Sequence, residues 1–308
     1  MWLNPEMEKE FLSESGGEFR TVALIGKYQS ASVAEALGRL SAFLQARGVS
    51  VLVDEDTFRV VGGVGGARAV TFEQISDRAD LAIVLGGDGT LLAAARRLAA
   101  HTLPLLGINQ GRLGFLTDIG RDEMLERVGE VLDGKYLRER RVLLEAQVLR
   151  DGAPVFSSVA LNDVVVSRGE VGRMIEFELT VDSEYIYSQR SDGVIVATPT
   201  GSTAYALSAN GPILHPRLAG MVLVPLSPHG LTYRPIALSH DSTVDIMIVA
   251  PHDARIHYDG QTLFDAHGGD CVRVRRSDQS VTLLHPPGYS YFAVLREKLH
   301  WSSTPRLS

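Results

Sequence analysis

The sequence predicts an α/β N-terminal domain with a parallel sheet, followed by a β-rich, β-sandwich-like C-terminal domain. Three observations carry this expectation. In the first third, short apolar runs alternate with segments of helical period, the pattern of strands joined by crossover helices. Beyond residue 142 the apolar positions recur every second residue instead, as in half-buried strands. Within the first texture, GGDGT at residues 86–90 separates an apolar run from a helical one, and ligands of parallel sheets sit at such joins. A chain of 308 residues is long enough for about two cores.

Taken in order, residues 21–25 read as a buried strand. Val33, Leu37, Leu40 and Leu44 then recur at helical spacing, and Gly48 ends that helix. Residues 49–53 and 81–85 read as further strands, and 103–108, broken only by Pro104, as a fourth. KYLRERR at residues 135–141 reads as a solvated hinge. After it, Ile175, Phe177, Leu179 and Val181 alternate with Glu176, Glu178, Thr180 and Asp182, a half-buried strand. Further strands are expected around 155–166, 193–197, 220–224, 244–250, 271–275 and 281–284, with a short helix near 202–208. Residues 291–301 read as a last helix and 302–308 as a loose tail. The expected division is a disordered lead (1–20), an α/β domain (21–138) and a β-rich domain (139–288), with 289–308 packing back on the α/β domain.

Composition narrows the function classes. A net charge of −7 argues against a broad nucleic-acid footprint. The single cysteine, Cys271, leaves no disulfide framework and no Cys-rich zinc site. Glu6, Glu8, Glu10, Glu14 and Glu18 stud the lead, which is unlike a signal peptide. No window approaches the 18 or so apolar residues of a membrane span. A cytoplasmic protein without membrane or nucleic-acid partners is the expectation. The nine histidines follow no HExxH spacing. GEVLDGKY at residues 129–136 imitates a P-loop but ends in Tyr and sits in a helical pattern, so it is set aside. Gly62, Gly63, Gly65 and Gly66 lack dinucleotide-fingerprint spacing and read as a mobile loop.

Three constellations carry chemistry. In GGDGT, Gly86 and Gly87 let the backbone turn sharply beside a ligand, and the following helix offers unpaired N–H groups and the positive end of its dipole. Asp88 would repel a phosphate in that turn, so its presence points to a different role, either holding Mg²⁺ or taking a proton from a sugar hydroxyl. The second is Leu161-Asn162-Asp163, whose amide and carboxylate suit a base edge and sugar hydroxyls; an Asx turn would use the same residues. The third runs from Asp192-Gly193 through TPTGSTAYALSANGP at residues 198–212. Its small residues admit a large ligand against the backbone, and its hydroxyls are expected to touch the ligand's polar groups.

Together, GGDGT, LNDVVVSRG and SQRSDGVIVATPTGSTAYALSANGPILHP resemble the NAD kinase family. The closing YSYFAVLREKLHW looks like the carboxyl end of Gram-negative bacterial members. The resemblance runs over about residues 21–301 and departs from the usual pattern at Gly230, where relatives more often carry Thr or Ser. It implies an active site between an α/β and a β-rich, NAD-binding domain, in a homodimer or homotetramer. The implied reaction is ATP-dependent phosphorylation of the 2′-hydroxyl of the adenosine ribose of NAD, giving NADP, with Asp88 as proton acceptor. An ordinary carboxylate is too weak a base to ionise a free sugar hydroxyl beforehand. The loose transition state of phosphoryl transfer requires only orientation and late proton acceptance.

Gly86, Gly87 and Thr90 would cradle the ATP phosphates, with Mg²⁺ or another divalent metal neutralising charge; no metal ligand is assigned. By the same resemblance the NAD-binding residues are Gly89, Asn162, Asp163, Arg173, Arg190, Asp192, Thr203, Ala204, Tyr205, Ala206, Leu207, Ser208 and Gln261. Arg190, a cation near the nicotinamide, goes with NAD⁺ preference in similar bacterial enzymes. Gln261 follows Asp259-Gly260, itself a hairpin signal. Two rival readings share parts of the pattern: a diacylglycerol- or sphingosine-type lipid kinase with the same glycine turn, and a non-catalytic NAD(P) sensor.

Overall fold

A computed structural model describes residues 19–26, 31–111, 113–168, 174–230 and 232–301. It divides into two units, Met1–Arg140 with Val281–Ser308, and Arg141–Ser280.

In the first unit β1 (Thr21–Gly26), α1 (Ala31–Ala46), β2 (Ser50–Asp54), α2 (Glu55–Val61), β3 (Arg68–Val70), α3 (Phe72–Arg78), β4 (Leu81–Leu85), α4 (Asp88–Leu98) and β5 (Leu105–Asn109) succeed one another. The strands pair in parallel in the order β3-β2-β1-β4-β5. The chain builds outward from β1 to β3 and then returns to lay β4 on the other side of β1. Ligands of such sheets enter the crevice at the carboxyl ends of the two strands flanking this reversal, and GGDGT leaves the carboxyl end of β4. The short β6 (Ile119–Gly120) pairs with β5, and α5 (Met124–Leu132) follows. Val22, Leu24, Leu37, Leu40, Ile83, Leu85 and Met124 share one buried core. Each such side chain contributes roughly 1.5–3 kcal/mol by leaving water.

The second unit holds β7 (Leu137–Arg150, entering from the first unit), β8 (Ala153–Ala160), β9 (Asp163–Arg168), β10 (Ile175–Val181), β11 (Glu184–Ser191), β12 (Gly193–Ala197), β13 (Gly220–Leu226), β14 (Ile236–Ser239), β15 (Val244–Ile248), β16 (Ala254–Tyr258), β17 (Thr262–Ala266) and most of β18 (Cys271–His285). One sheet runs β11-β10-β15-β18, with β7 and β8 beside it; the other runs β14-β13-β12-β9-β16-β17. Phe177, Ile246 and Val272 of the first meet Val164, Val194, Leu223 and Ile256 of the second in one core, a sandwich. A 3₁₀ turn, Gly201–Thr203, and α6 (Tyr205–Ser208) follow β12. Leu283 and Leu284 at the end of β18 pair in parallel with β5, and α7 (Tyr291–Lys298) belongs to the first unit. Among the described residues no helix is long and apolar enough to cross a membrane.

Two expectations are corrected. The charge run at 135–141 spans the division between the two units, but it is strand rather than loop from Leu137 onward: in β7 Arg138 and Arg140 face water while Arg141 is buried and donates to Thr200 Oγ1 at 3.1 Å. The period of two was hidden because charged residues occupy both faces. The strands expected at 271–275 and 281–284 are one continuous strand, the polar residues between them remaining in the ladder. The expected lead falls largely on residues 1–18, and the tail on 302–308; both lie outside the described residues.

Candidate active site

The helix after the glycine turn begins earlier than its apolar pattern suggests. Gly87, extended at φ −94° and ψ −177°, is the N-cap of α4 and supplies no side chain to it, so Asp88 is the first helical residue. Two of the turn's amides are engaged within the fold: Gly86 N–H donates to Ile108 at 2.9 Å and Thr90 N–H to Gly87 at 2.9 Å. A Cβ on Gly86 would lie only 2.5 Å from the Thr90 hydroxyl.

Asp88 does not point at open solvent. Its Oδ2 accepts from Phe115 N–H at 2.8 Å, and its Oδ1 from Leu116 N–H and Thr117 N–H at 3.1 Å and from the Thr117 hydroxyl at 3.0 Å. Backbone donors aimed at one carboxylate form an anion-binding nest. The nest depends on Gly114, because a Cβ there would overlap Asp88 Oδ1. Asn109, buried at the end of β5, extends the network: its Nδ2 donates to the Thr117 hydroxyl at 2.8 Å and its Oδ1 accepts from Gly111 N–H at 2.6 Å. Oδ2, with a single protein donor, retains lone-pair capacity for a hydroxyl.

The second unit carries a cavity of about 430 Å³ lined by Asn162, Asp163, Val165, Ser167, Ala204, Tyr205, His257, Asp259 and Gly260. Residues 163, 165 and 167 alternate along one face of β9, and His257 lies opposite Val165 on β16. Asp259 and Gly260, both at positive φ (53° and 63°), make the tight turn between β16 and β17. The Asp259 carboxylate accepts from Leu161, Asn162 and Asp163 N–H at 2.7–3.1 Å, fixing the Asn-Asp pair at the cavity wall. No donor among the described residues reaches the Asp163 carboxyl. Burial, then the nearby Asp259 charge, push its pKa up to about 7. His257 is shifted the other way, its pKa lowered by burial and by Arg255, which keeps the ring neutral at neutral pH.

The hydroxyl-rich loop is used differently from expectation. Thr198 Oγ1 donates to Leu161 O at 2.6 Å, Ser202 Oγ to Pro199 O at 2.6 Å and Thr203 Oγ1 to Thr200 O at 3.1 Å. Gly201 presses so closely on Asn162 that a Cβ would overlap its carbonyl oxygen. These groups build the wall that presents Ala204 and Tyr205 to the cavity.

Of the residues the sequence singles out, Asn162, Asp163, Ala204 and Tyr205 meet at this cavity. Arg190 stands 3.8 Å from Glu176 with its side chain 61% exposed, and Asp192 pairs with Arg168 at 3.1 Å. Thr203, Ala206, Leu207, Ser208 and Gln261 are not in its lining, and Gly89 belongs to α4 in the other unit. Arg173 lies outside the described residues. Val165, Ser167, His257, Asp259 and Gly260 were missed. The alternation of β9 and the Asp-Gly turn were the available signals.

Helix starts behind glycine turns suit phosphate and fixed carboxylates suit hydroxyl groups, features expected of a phosphotransferase; here they occur in a chain of one α/β unit and one β sandwich. Residues 22–136 match the ATP-NAD kinase N-terminal domain family and residues 161–285 the ATP-NAD kinase C-terminal domain family. A protein of Aromatoleum aromaticum named NAD kinase is 59% identical over 99% of both chains. Another of that name from Azoarcus sp. strain BH72 is 57% identical over 94% of this chain and 98% of its own. The crystal structure of yeast NADH kinase complexed with NADH is 26% identical, with a TM-score of 0.87 over 95% of this chain and 91% of that one. An Archaeoglobus fulgidus NAD kinase in complex with ATP shares the fold, with a TM-score of 0.71 over 91% and 98% of the two chains at 24% identity. The chain belongs to the NAD kinase family. Neither the lipid-kinase nor the sensor reading finds support in these likenesses.

Proposed function

We propose that this NAD kinase transfers the γ-phosphoryl group of ATP to the 2′-hydroxyl of the adenosine ribose of NAD, with Asp88 orienting that hydroxyl and taking its proton. What supports the reading is the nest at residues 115–117: four donors hold the Asp88 carboxylate at the carboxyl end of the parallel sheet, in the first turn of α4. Prior alignment is what a loose phosphoryl transfer requires of its acceptor.

Gly86, Gly87 and Thr90 would hold the phosphates. Asn162, Asp163, Ala204 and Tyr205 would contact the dinucleotide, with Gly89, Arg173, Arg190, Asp192, Thr203, Ala206, Leu207, Ser208 and Gln261 as further contacts. Within the cavity, a ribose hydroxyl would supply the donor that Asp163 lacks. Among the described residues no three His, Cys, Asp or Glu side chains converge on a cage for Mg²⁺. The ion fits as the counter-ion of ATP, held mainly by phosphate oxygens. The expected setting is a homodimer or homotetramer in the cytoplasm.

The test is NADP formation from NAD⁺, ATP and Mg²⁺, coupled to an NADP-specific dehydrogenase. Asp88→Asn is expected to lower kcat by roughly 10²- to 10⁴-fold while NAD still binds. Unchanged turnover in Asp88→Asn would remove Asp88 from the mechanism.

A further inference from the structure

His285, at the end of β18, is 1% exposed and bonded at both ring nitrogens. Nδ1 lies 2.9 Å from Asp118 Oδ2 and Nε2 lies 3.1 Å from Glu139 Oε2. The Tyr289 ring stacks on the imidazole, with centroids 3.7 Å apart and planes 10° from parallel. Asp118 is the residue after Thr117, whose amide and hydroxyl both hold Asp88. The imidazole therefore ties together the last strand of the first unit's sheet, the start of β7 and the loop that carries the Asp88 nest.

We infer that His285 is a positioning residue for phosphoryl transfer: clamped between Asp118 and Glu139, it fixes the loop at residues 114–118 that holds the Asp88 carboxylate. This rests on the reading of Asp88 given above. Only an imidazolium donates from both nitrogens; a neutral ring donates from one and turns a lone pair on the other carboxylate. Among the described residues the groups facing the ring are Asp118 from the loop, Glu139 from β7 and the Tyr289 ring, so its surroundings favour the cation. Burial opposes that charge, but the hydrogen bonds to Asp118 and Glu139 outweigh it and hold the His285 pKa above the ordinary histidine value. A raised native pKa means the clamp is complete below the unfolded value and is lost as pH rises through the native one.

The experiment is the pH profile of kcat and of the KM for NAD in the wild type, His285→Gln, Glu139→Gln and Asp88→Asn. In the wild type kcat is expected to fall on the alkaline side through one ionisation, with the KM for NAD little changed. His285→Gln, which does not titrate, is expected to lose roughly 10- to 100-fold in kcat near pH 7 and to lack the alkaline limb. Glu139→Gln keeps a titrating ring and is expected to shift the limb down by about one pH unit, which carries the test if His285→Gln does not fold. A wild-type kcat and alkaline limb in His285→Gln, or an unmoved limb in Glu139→Gln, with Asp88→Asn inactive, would overturn the positioning role alone. Wild-type turnover in Asp88→Asn would overturn the Asp88 reading and this role together.

Discussion

Asp88 and Asp163 are the same residue in opposite surroundings. The first carboxylate is wrapped by three backbone amides and a hydroxyl. The second is 5% exposed, lacks a donor among the described residues, and faces the charge of Asp259. A charge satisfied by its own protein is fixed in direction and ready to act on something brought to it. A buried carboxyl left without donors would, on the proposed reading, be completed by the hydroxyls of a ligand. The contrast separates the group proposed to do chemistry from the group proposed to bind.

The largest expected effect tests the first half of the contrast. Gly114→Ala places a methyl group where Asp88 Oδ1 lies, so the carboxylate must leave its nest. Turnover should fall on the order of 10²-fold with the KM for NAD nearly unchanged, measured by steady-state kinetics. A comparable loss in NAD affinity would mean the two carboxylates are not separate in function.

Asp163→Asn sharpens the second half. It should raise the KM for NAD roughly tenfold, the worth of a hydrogen bond to a charged group. Its stability effect has a defined sign. Asp163 resists ionisation in the native state, so ionising it destabilises the fold progressively between about pH 4 and its native value near 7. The variant should therefore melt higher than the wild type above pH 7, and the difference should vanish near pH 4. Thermal melts across that range decide it; a gap that grows toward acid would refute the assignment.

The smallest effect concerns Arg190, whose contact with Glu176 is long and exposed. Such pairs are worth about 0–1 kcal/mol, so Arg190→Ala should move the melting temperature little. If its charge selects the oxidised dinucleotide, the ratio of kcat/KM for NAD⁺ over NADH should drop severalfold; an unchanged ratio would return it to the surface.

Much of this was legible in the sequence. The buried strand β4 is a pure apolar run, β1 and β2 carry the apolar runs 22–25 and 51–53, and α1 carries a clean helical period. The strands β11, β14, β16 and β17 were not read, because polar residues such as Arg255, His257 and Asp265 interrupt them. The seven-residue helices α2 and α3 are set by caps, Asp54 and Thr71, rather than by period. At the site, residue types pointed to Asp88 and Asp163 but not to their partners. The amides that hold Asp88 lie 27–29 residues away, and those held by Asp259 lie 96–98 away. Asp259 stood in view as half of a turn signal, and its second role depends on the β9–β16 register.

The Ser/Thr loop has a consequence for association. Because Thr198, Ser202 and Thr203 are already bonded to the chain, a dinucleotide bound as proposed would not need to strip water from their hydroxyls or freeze their rotamers. That ordering was completed when the protein folded, so it does not subtract from affinity. Substitutions there should then be felt by the folding equilibrium and the yield of native protein, and ligand affinity per folded molecule should change far less.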